Sequence, residues 1–190
     1  MDNNIRNEYL EGRFEQTEDG VYFPRSRTLA QGVFSVNKRG EPVEYSPNLV
    51  VNQGLNYLLT AAVYGSANYT WYIALYSAAL DPDAGWTGTS FDGAATEWTA
   101  YTHNNPSENG LHPRWDIGAP VSGAVDSFSA KAEFTSTVNG AVINGAALMS
   151  TGNKPATSGT LIAASRFPSV KNLDIGEVLD VGYGLTLSAV

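Results

Sequence analysis

The sequence predicts a mainly β protein: a β-sandwich or jelly-roll-like body with one short α-helix and an extended N-terminal arm. Three observations carry that prediction. In the C-terminal third, Phe128, Ala130, Ala132 and Phe134 alternate with Ser129, Lys131, Glu133 and Thr135, the period of two expected of a strand with one buried face. Short strand-like segments are separated throughout by Gly, Asn and Asp turns, as in sandwiches and jelly rolls. Charge is also unevenly placed. The first 47 residues carry 14 charged side chains, and the remaining 143 carry only 16. An ordinary soluble domain is about a quarter charged, so residues 32–190 read as a charge-poor body and residues 1–31 as a charged arm.

In the arm, Ile5, Tyr9 and Leu10 fall near one helical face, and Phe14 follows, which allows a short helix. Glu18-Asp19-Gly20 signals a turn. Val21 to Phe23 reads as extended, because Pro24 restricts the residue before it. Val33–Val36 and Pro42–Tyr45 flank Asn37-Lys38-Arg39-Gly40, a hairpin pattern, with Pro42 placed at a strand start or an edge. Val51, Leu55, Leu58, Leu59 and Ala62 form an apolar stripe at helical spacing. The helix is expected over about 52–64, with Asn52 as N-cap and Gly65 as its stop.

Tyr69 to Leu75 has strand composition. A long loop is expected over about 81–120, with a small strand at Glu97 to Tyr101; loops of that length are usually functional or held by partners. Ala141–Ile143 and Ala146–Met149 are read as a hairpin about Asn144-Gly145, a bulged strand being the alternative. Thr160–Phe167 is a strand, Asp174–Glu177 a turn, and Val181, Tyr183, Leu185 and Leu187 alternate to the end. Gly182 and Gly184 within that strand suggest close backbone approach.

Composition excludes several classes. Net charge is −8, with 11 Lys and Arg residues and 19 Asp and Glu. That disfavours nucleic acid, which requires phosphate-neutralising cations. No apolar run reaches the ~20 residues of a membrane span, and Met-Asp-Asn-Asn-Ile-Arg at the start lacks an apolar leader region. With no cysteine, disulfides, thiolate metal sites and a thiol nucleophile are excluded.

Catalytic signatures are also missing. There is no GxGxxG, Walker or GxSxG pattern. His103 and His112 lie in the long loop without metal-binding spacing, so they read as ordinary loop histidines. Asp81-Pro82-Asp83 lacks the downstream ligands of a calcium loop. Asp83, Asp92 and Glu97 carry no sequence sign of a glycosidase pair. No enzyme activity, cofactor or metal is expected. The loop aromatics Trp86, Phe91, Trp98, Tyr101 and Trp115 admit two readings: stacking on a glycan or anchoring a protein interface, or folding back as plugs.

The order of the segments carries a resemblance. Asn48-Leu49-Val50-Val51-Asn52-Gln53-Gly54-Leu55-Asn56-Tyr57-Leu58-Leu59 resembles the "NLVvNxGLxyLL" box of small tailed-bacteriophage structural proteins. Trp71–Tyr76 resembles their "WYvgLf" strand. Glu97–Tyr101 with Arg114-Trp115 resembles their "E-T-Y…R-x-W" loop. Ala124–Phe134, Ser158–Leu161 and Gly176–Leu179 complete the series. The resemblance runs from Gly32 to the C-terminus, and residues 1–31 have no counterpart in it.

It implies a β-rich virion protein: a capsid decoration, or cement, protein on the head surface, made in the host cytoplasm. Its partners would be the major capsid protein and other copies of itself, as a dimer or trimer. A tail or head-fibre protein is the alternative within the family, and a carbohydrate-binding module using the aromatic loop is the alternative outside it. The residues expected to make contacts are Tyr9, Leu10, Phe14, Arg25 and Arg27 of the arm, with Trp86, Trp98, Tyr101 and Trp115 of the loop.

Overall fold

The computed structural model describes residues 14–16, 22–24, 28–64, 70–105 and 110–189. Tyr9, Leu10, Arg25, Arg27, the arm helix, the turn at residues 18–20 and the helix stop at Gly65 lie outside them. The chain divides into two compact units, residues 1–29 with 187–190, and residues 30–186. In the first, β1 (Phe14–Gln16) pairs antiparallel with β2 (Tyr22–Pro24), Phe14 opposite Pro24. The extended reading of Tyr22 and Phe23 is met there.

The second unit is a β-sandwich. One sheet runs in the order β4 (Glu44–Pro47), β3 (Thr28–Lys38), β13 (Val178–Ala189), β10 (Ala132–Ser136), β8 (Tyr101–His103), with β9 (Ala124–Asp126) also on β13. The other runs β5 (Leu49–Val50), β12 (Leu161–Leu173), β11 (Ala141–Met149), β6 (Tyr72–Tyr76), β7 (Glu97–Trp98). The hairpin turn at Asn37–Gly40 is present, with Val36 opposite Glu44 and Gly40 at φ +92°, a conformation that favours glycine. Pro42 lies in the turn, before the strand begins. At Asn48 the chain crosses from one sheet to the other. Asn48 N donates to Gly32 O at 3.1 Å, and its Nδ2 donates to the Tyr183 hydroxyl at 3.0 Å.

The core between the sheets takes Phe34 and Val36 from β3, Phe134 from β10, and Leu179, Val181 and Tyr183 from β13. Opposite them lie Ile73, Leu75, Ile143 and Leu148. The second sheet is buried on both faces, so β6 and β11 are near-continuously buried instead of alternating, the pattern of a strand covered on both sides. Its outer face carries a flat row, Ala164, Ala147 and Ala74, paired across three strands. That row clusters with Trp86, Phe91, Ala95 and Ala156. Residues 81–95, including the short helix α2 (Phe91–Ala95), therefore form a third layer.

Four expectations change. Asn144-Gly145 is not a turn: β11 continues through it with a register shift between Ile143 and Gly145. Asn144 Nδ2 donates to Ser77 O at 2.6 Å, which anchors the bulge. The strand expected from Phe128 begins only at Ala132, because Ala130 N bonds back to Ser127 O in a turn. The long loop holds an unexpected short helix, α2, and the small strand expected at Glu97 to Tyr101 is split into β7 and β8.

The fourth change concerns α1 (Asn52–Tyr64), whose range matches but whose orientation does not. Leu55 N bonds to Val51 O, which puts the cap position on Val51, and the inward face is Val51 and Gly54. Leu55, Leu59 and Ala62 of the expected buried stripe face outward, and Leu58 is half-buried. The reason is contact distance. A Cβ on Gly54 would stand 2.2 Å from Ile162 O, so the helix approaches β12 through its glycine face and leaves Leu55 and Leu59 outside.

Gly145 tests the bulge. A Cβ there would lie 2.3 Å from Ser165 O and 2.3 Å from Tyr76 Cζ, so Gly145→Ala should cost about 1–3 kcal/mol in urea unfolding. Gly93→Ala in α2 meets nothing within 4 Å and should be neutral or slightly stabilising.

Candidate functional site

The aromatic segment folds inward. Trp86, Trp98, Tyr101 and Trp115 are each no more than 9% exposed, and Phe91 is fully buried. Trp86 and Phe91 pack edge-to-face with Tyr76 on the outer face of the second sheet. Tyr101 meets Phe134, and Trp115 meets Tyr183, inside the sandwich. Trp115 Nε1 donates to Tyr183 O at 3.0 Å, which satisfies the polar handle of a buried indole. Of the two readings of these aromatics, the structure matches the one in which they fold back as plugs, and their rings are not presented on the surface. Of the arm residues, Phe14 lies in β1 and the other four fall outside the described residues.

Burial of this segment carries ionisable groups inward with the rings. Glu97 in β7 and His112 have fully buried side chains, with His112 Nε2 3.4 Å from Glu97 Oε1. His112 Nδ1 lies 2.7 Å from the Tyr101 hydroxyl. Glu97 Oε2 accepts from Ala156 N at 2.7 Å, and Lys154 stands 3.9 Å from the centroid of the Tyr101 ring. Glu97 Oε1 and His112 Nε2 face each other without a hydrogen bond.

The contact is not an ion pair. Burial holds the imidazole neutral, its pKa lowered to about 3, with Lys154 adding to the effect. Burial also raises the Glu97 carboxyl to about 7, with Asp92 adding and the Ala156 N–H and Lys154 opposing. Between these values the pair holds one proton, on the carboxyl. The reading of His112 as an ordinary loop histidine is corrected: Tyr101, Glu97 and His112 form an internal polar strut. Nothing in their spacing, 4 and 15 residues apart, signalled it. The Tyr-His-Glu order resembles a proton relay, but its atoms face no solvent from which a substrate could approach.

A cavity of about 560 Å³ opens on the outer face of the first sheet, where Arg39, His103, Arg114, Lys131, Glu133 and Asp180 contribute to its lining. Arg39 is matched within it by two carboxylates. Arg39 Nη2 lies 2.7 Å from Asp180 Oδ1 and 2.9 Å from Glu133 Oε1. These hydrogen bonds raise the guanidinium pKa further. Lys131 Nζ donates to Asn37 Oδ1 at 2.8 Å. Among the described residues, no three His, Asp or Glu side chains converge as a metal site, and no helix is long and apolar enough to cross a membrane.

Large apolar side chains are exposed at several places, Tyr45, Val121 and Ile175 among them, and three of them share the outer face of α1. Leu55, Leu59 and Val63 are 46%, 65% and 67% exposed. Spaced four apart, they form one ridge along the helix. From Asn48 to Leu80 the chain has no charged residue, so nothing on the helix itself rims the ridge with charge. An exposed apolar ridge of this kind marks an interaction surface when it is contiguous. No protein-family model matches the chain, and no curated protein matches its sequence.

Two measurements check this site. Trp98→Ala should lower stability by about 3–5 kcal/mol in chemical unfolding; an exposed tryptophan would cost little. For the buried pair, the raised carboxyl contributes stability that is present below pH 4.5 and lost as pH rises through about 7. The lowered imidazole contributes stability that is present above pH 6.5 and lost as pH falls through about 3. The two slopes oppose between pH 4.5 and 6.5. Glu97→Gln removes only the first, so the stability of the variant should climb relative to wild type across that window; parallel profiles would contradict the assignment.

Proposed function

We propose that this chain is a virion structural protein that decorates a bacteriophage head and docks through the outer face of α1. The single observation that carries the reading is the ridge Leu55–Leu59–Val63, exposed on a helix without a charged side chain. The ridge begins within the box Asn48–Leu59 that resembles phage structural proteins. Other features support the reading. Residues 48–190 carry only 16 charged side chains, and Trp86, Trp98, Tyr101 and Trp115 are spent on the core, which leaves the helix ridge as an uncharged apolar face for a partner.

Docking of such a ridge buries apolar surface at roughly 25 cal/mol per Å² before the costs of association. A partner that binds only the folded, assembled shell raises its stability by mass action. That is the physical content of a cement protein: it adds no chemistry, only area buried in the assembled state.

The test uses a tagged copy on the phage particle that carries this chain. Negative-stain labelling should fall on heads, and label on tails would assign the chain to the tail or its fibres instead. Leu59→Lys with Val63→Lys, both at exposed positions, should change stability by no more than about 0.5 kcal/mol each while abolishing particle association. Retained association of the folded double variant would overturn the docking face.

A further inference from the structure

In the first sheet β3, β13 and β10 lie side by side. Asn37 is near the end of β3, Asp180 is in β13, and Lys131 immediately precedes β10. The Lys131 ammonium nitrogen donates to Asn37 Oδ1 at 2.8 Å. A side chain rooted beside β10 thus reaches across β13 to β3. Gly182 in β13 permits the crossing: a Cβ there would stand 3.2 Å from Lys131 Cγ, 3.2 Å from Phe128 Cδ1 and 2.7 Å from Ser35 Oγ. Lys131 and Asn37 are both half-buried. Asp180 pairs with Arg39 at 2.7 Å, and its side chain is only 16% exposed.

We propose that Lys131 and Asn37 join in an intramolecular isopeptide bond, a covalent strap across β13. The reactants are in place: an amine nitrogen in hydrogen-bond contact with the carbonyl it would attack, held by a tight fit over a glycine, which is the proximity such reactions require. Burial lowers the Lys131 pKa, which favours the neutral amine, while Asp180 opposes that shift. Asp180, paired with Arg39, is the proton acceptor.

The steps balance. The Asp180 carboxylate takes a proton from the Lys131 ammonium. The freed amine lone pair attacks Asn37 Cγ, forming a C–N bond and a tetrahedral oxyanion. The carbonyl reforms as the bond from Cγ to Nδ2 breaks, and Nδ2 leaves as ammonia with a proton returned by Asp180. The former lysine nitrogen loses its surplus proton through Asp180 to that ammonia. One ammonium and one primary amide become one secondary amide and one ammonium ion, with no change in oxidation state and no co-reactant. In a chain without cysteine, the strap would do what a disulfide does elsewhere: restrict the unfolded chain, here by closing a long loop between residues 37 and 131.

The experiment is intact-mass spectrometry of the purified full chain, followed by tandem fragmentation of a digest. The wild type should be lighter than its sequence mass by one ammonia, and the digest should contain a branched peptide joining residues 37 and 131. Lys131→Arg should show its full sequence mass. Asp180→Ala, checked for folding by circular dichroism, should also show full mass or lose ammonia far more slowly. A folded wild type at full mass after prolonged incubation would overturn the proposal. So would an ammonia loss that persists in Lys131→Arg, which would place it at Asn139-Gly140 or Asn144-Gly145 as a succinimide.

Discussion

Inward burial of Trp86, Phe91, Trp98, Tyr101 and Trp115 is the constraint on which the rest of the structure depends. Trp86 and Phe91 cover the outer face of the second sheet, while Trp98, Tyr101 and Trp115 complete the core between the sheets. Without those rings, the alanine row on β6, β11 and β12 would face water, and one side of the sandwich would be open. The gain from these rings is large, since each aromatic side chain buries substantial area. The cost is visible in the same place: Glu97 and His112 go inside with their neighbours, and each is driven to its neutral form by desolvation. The arrangement is stable because the apolar gain exceeds a penalty that neutralisation keeps small.

This closure also decides what remains for a partner. Trp86, Trp98 and Trp115 are spent on the interior and offer no platform to a partner. Part of the apolar surface left outside is a row on α1, and that row is turned outward by geometry. Gly54 is pressed against the Ile162 backbone, so the close contact with β12 is made by the residue without a side chain. Leu55 and Leu59, on the other side of the helix, are left pointing away. The fold of the body and the exposed ridge therefore have a common origin in how the third layer and the helix pack on the second sheet.

The sequence was informative wherever one local rule decided the outcome. The hairpin at Asn37–Gly40, the turn at Asp174–Glu177, the range of α1 and the inward placing of Val181 and Tyr183 follow from turn chemistry and periodicity, whereas Leu187 at the end of the same pattern is exposed. It misled where a long-range contact decided. The stripe Leu55, Leu59 and Ala62 has helical spacing, but spacing says which residues share a face and not which way that face points. Asn144-Gly145 carries the local signal of a turn, yet pairing of β11 with both β12 and β6 overrides it and leaves a bulge. The Tyr101–Glu97–His112 strut was invisible because its members come from two strands and a loop. Gly182 was readable as a close approach, but not as the passage for Lys131.

The claim that most needs an independent view is that the helix ridge, and not the aromatic segment, meets the partner. Cryo-microscopy of the parent particle views both at once. The account predicts density for this chain on the head surface, with Leu55, Leu59 and Val63 enclosed at the contact and Trp98 and Trp115 inside the body. A map with α1 in solvent and residues 86–115 laid against the shell would contradict it.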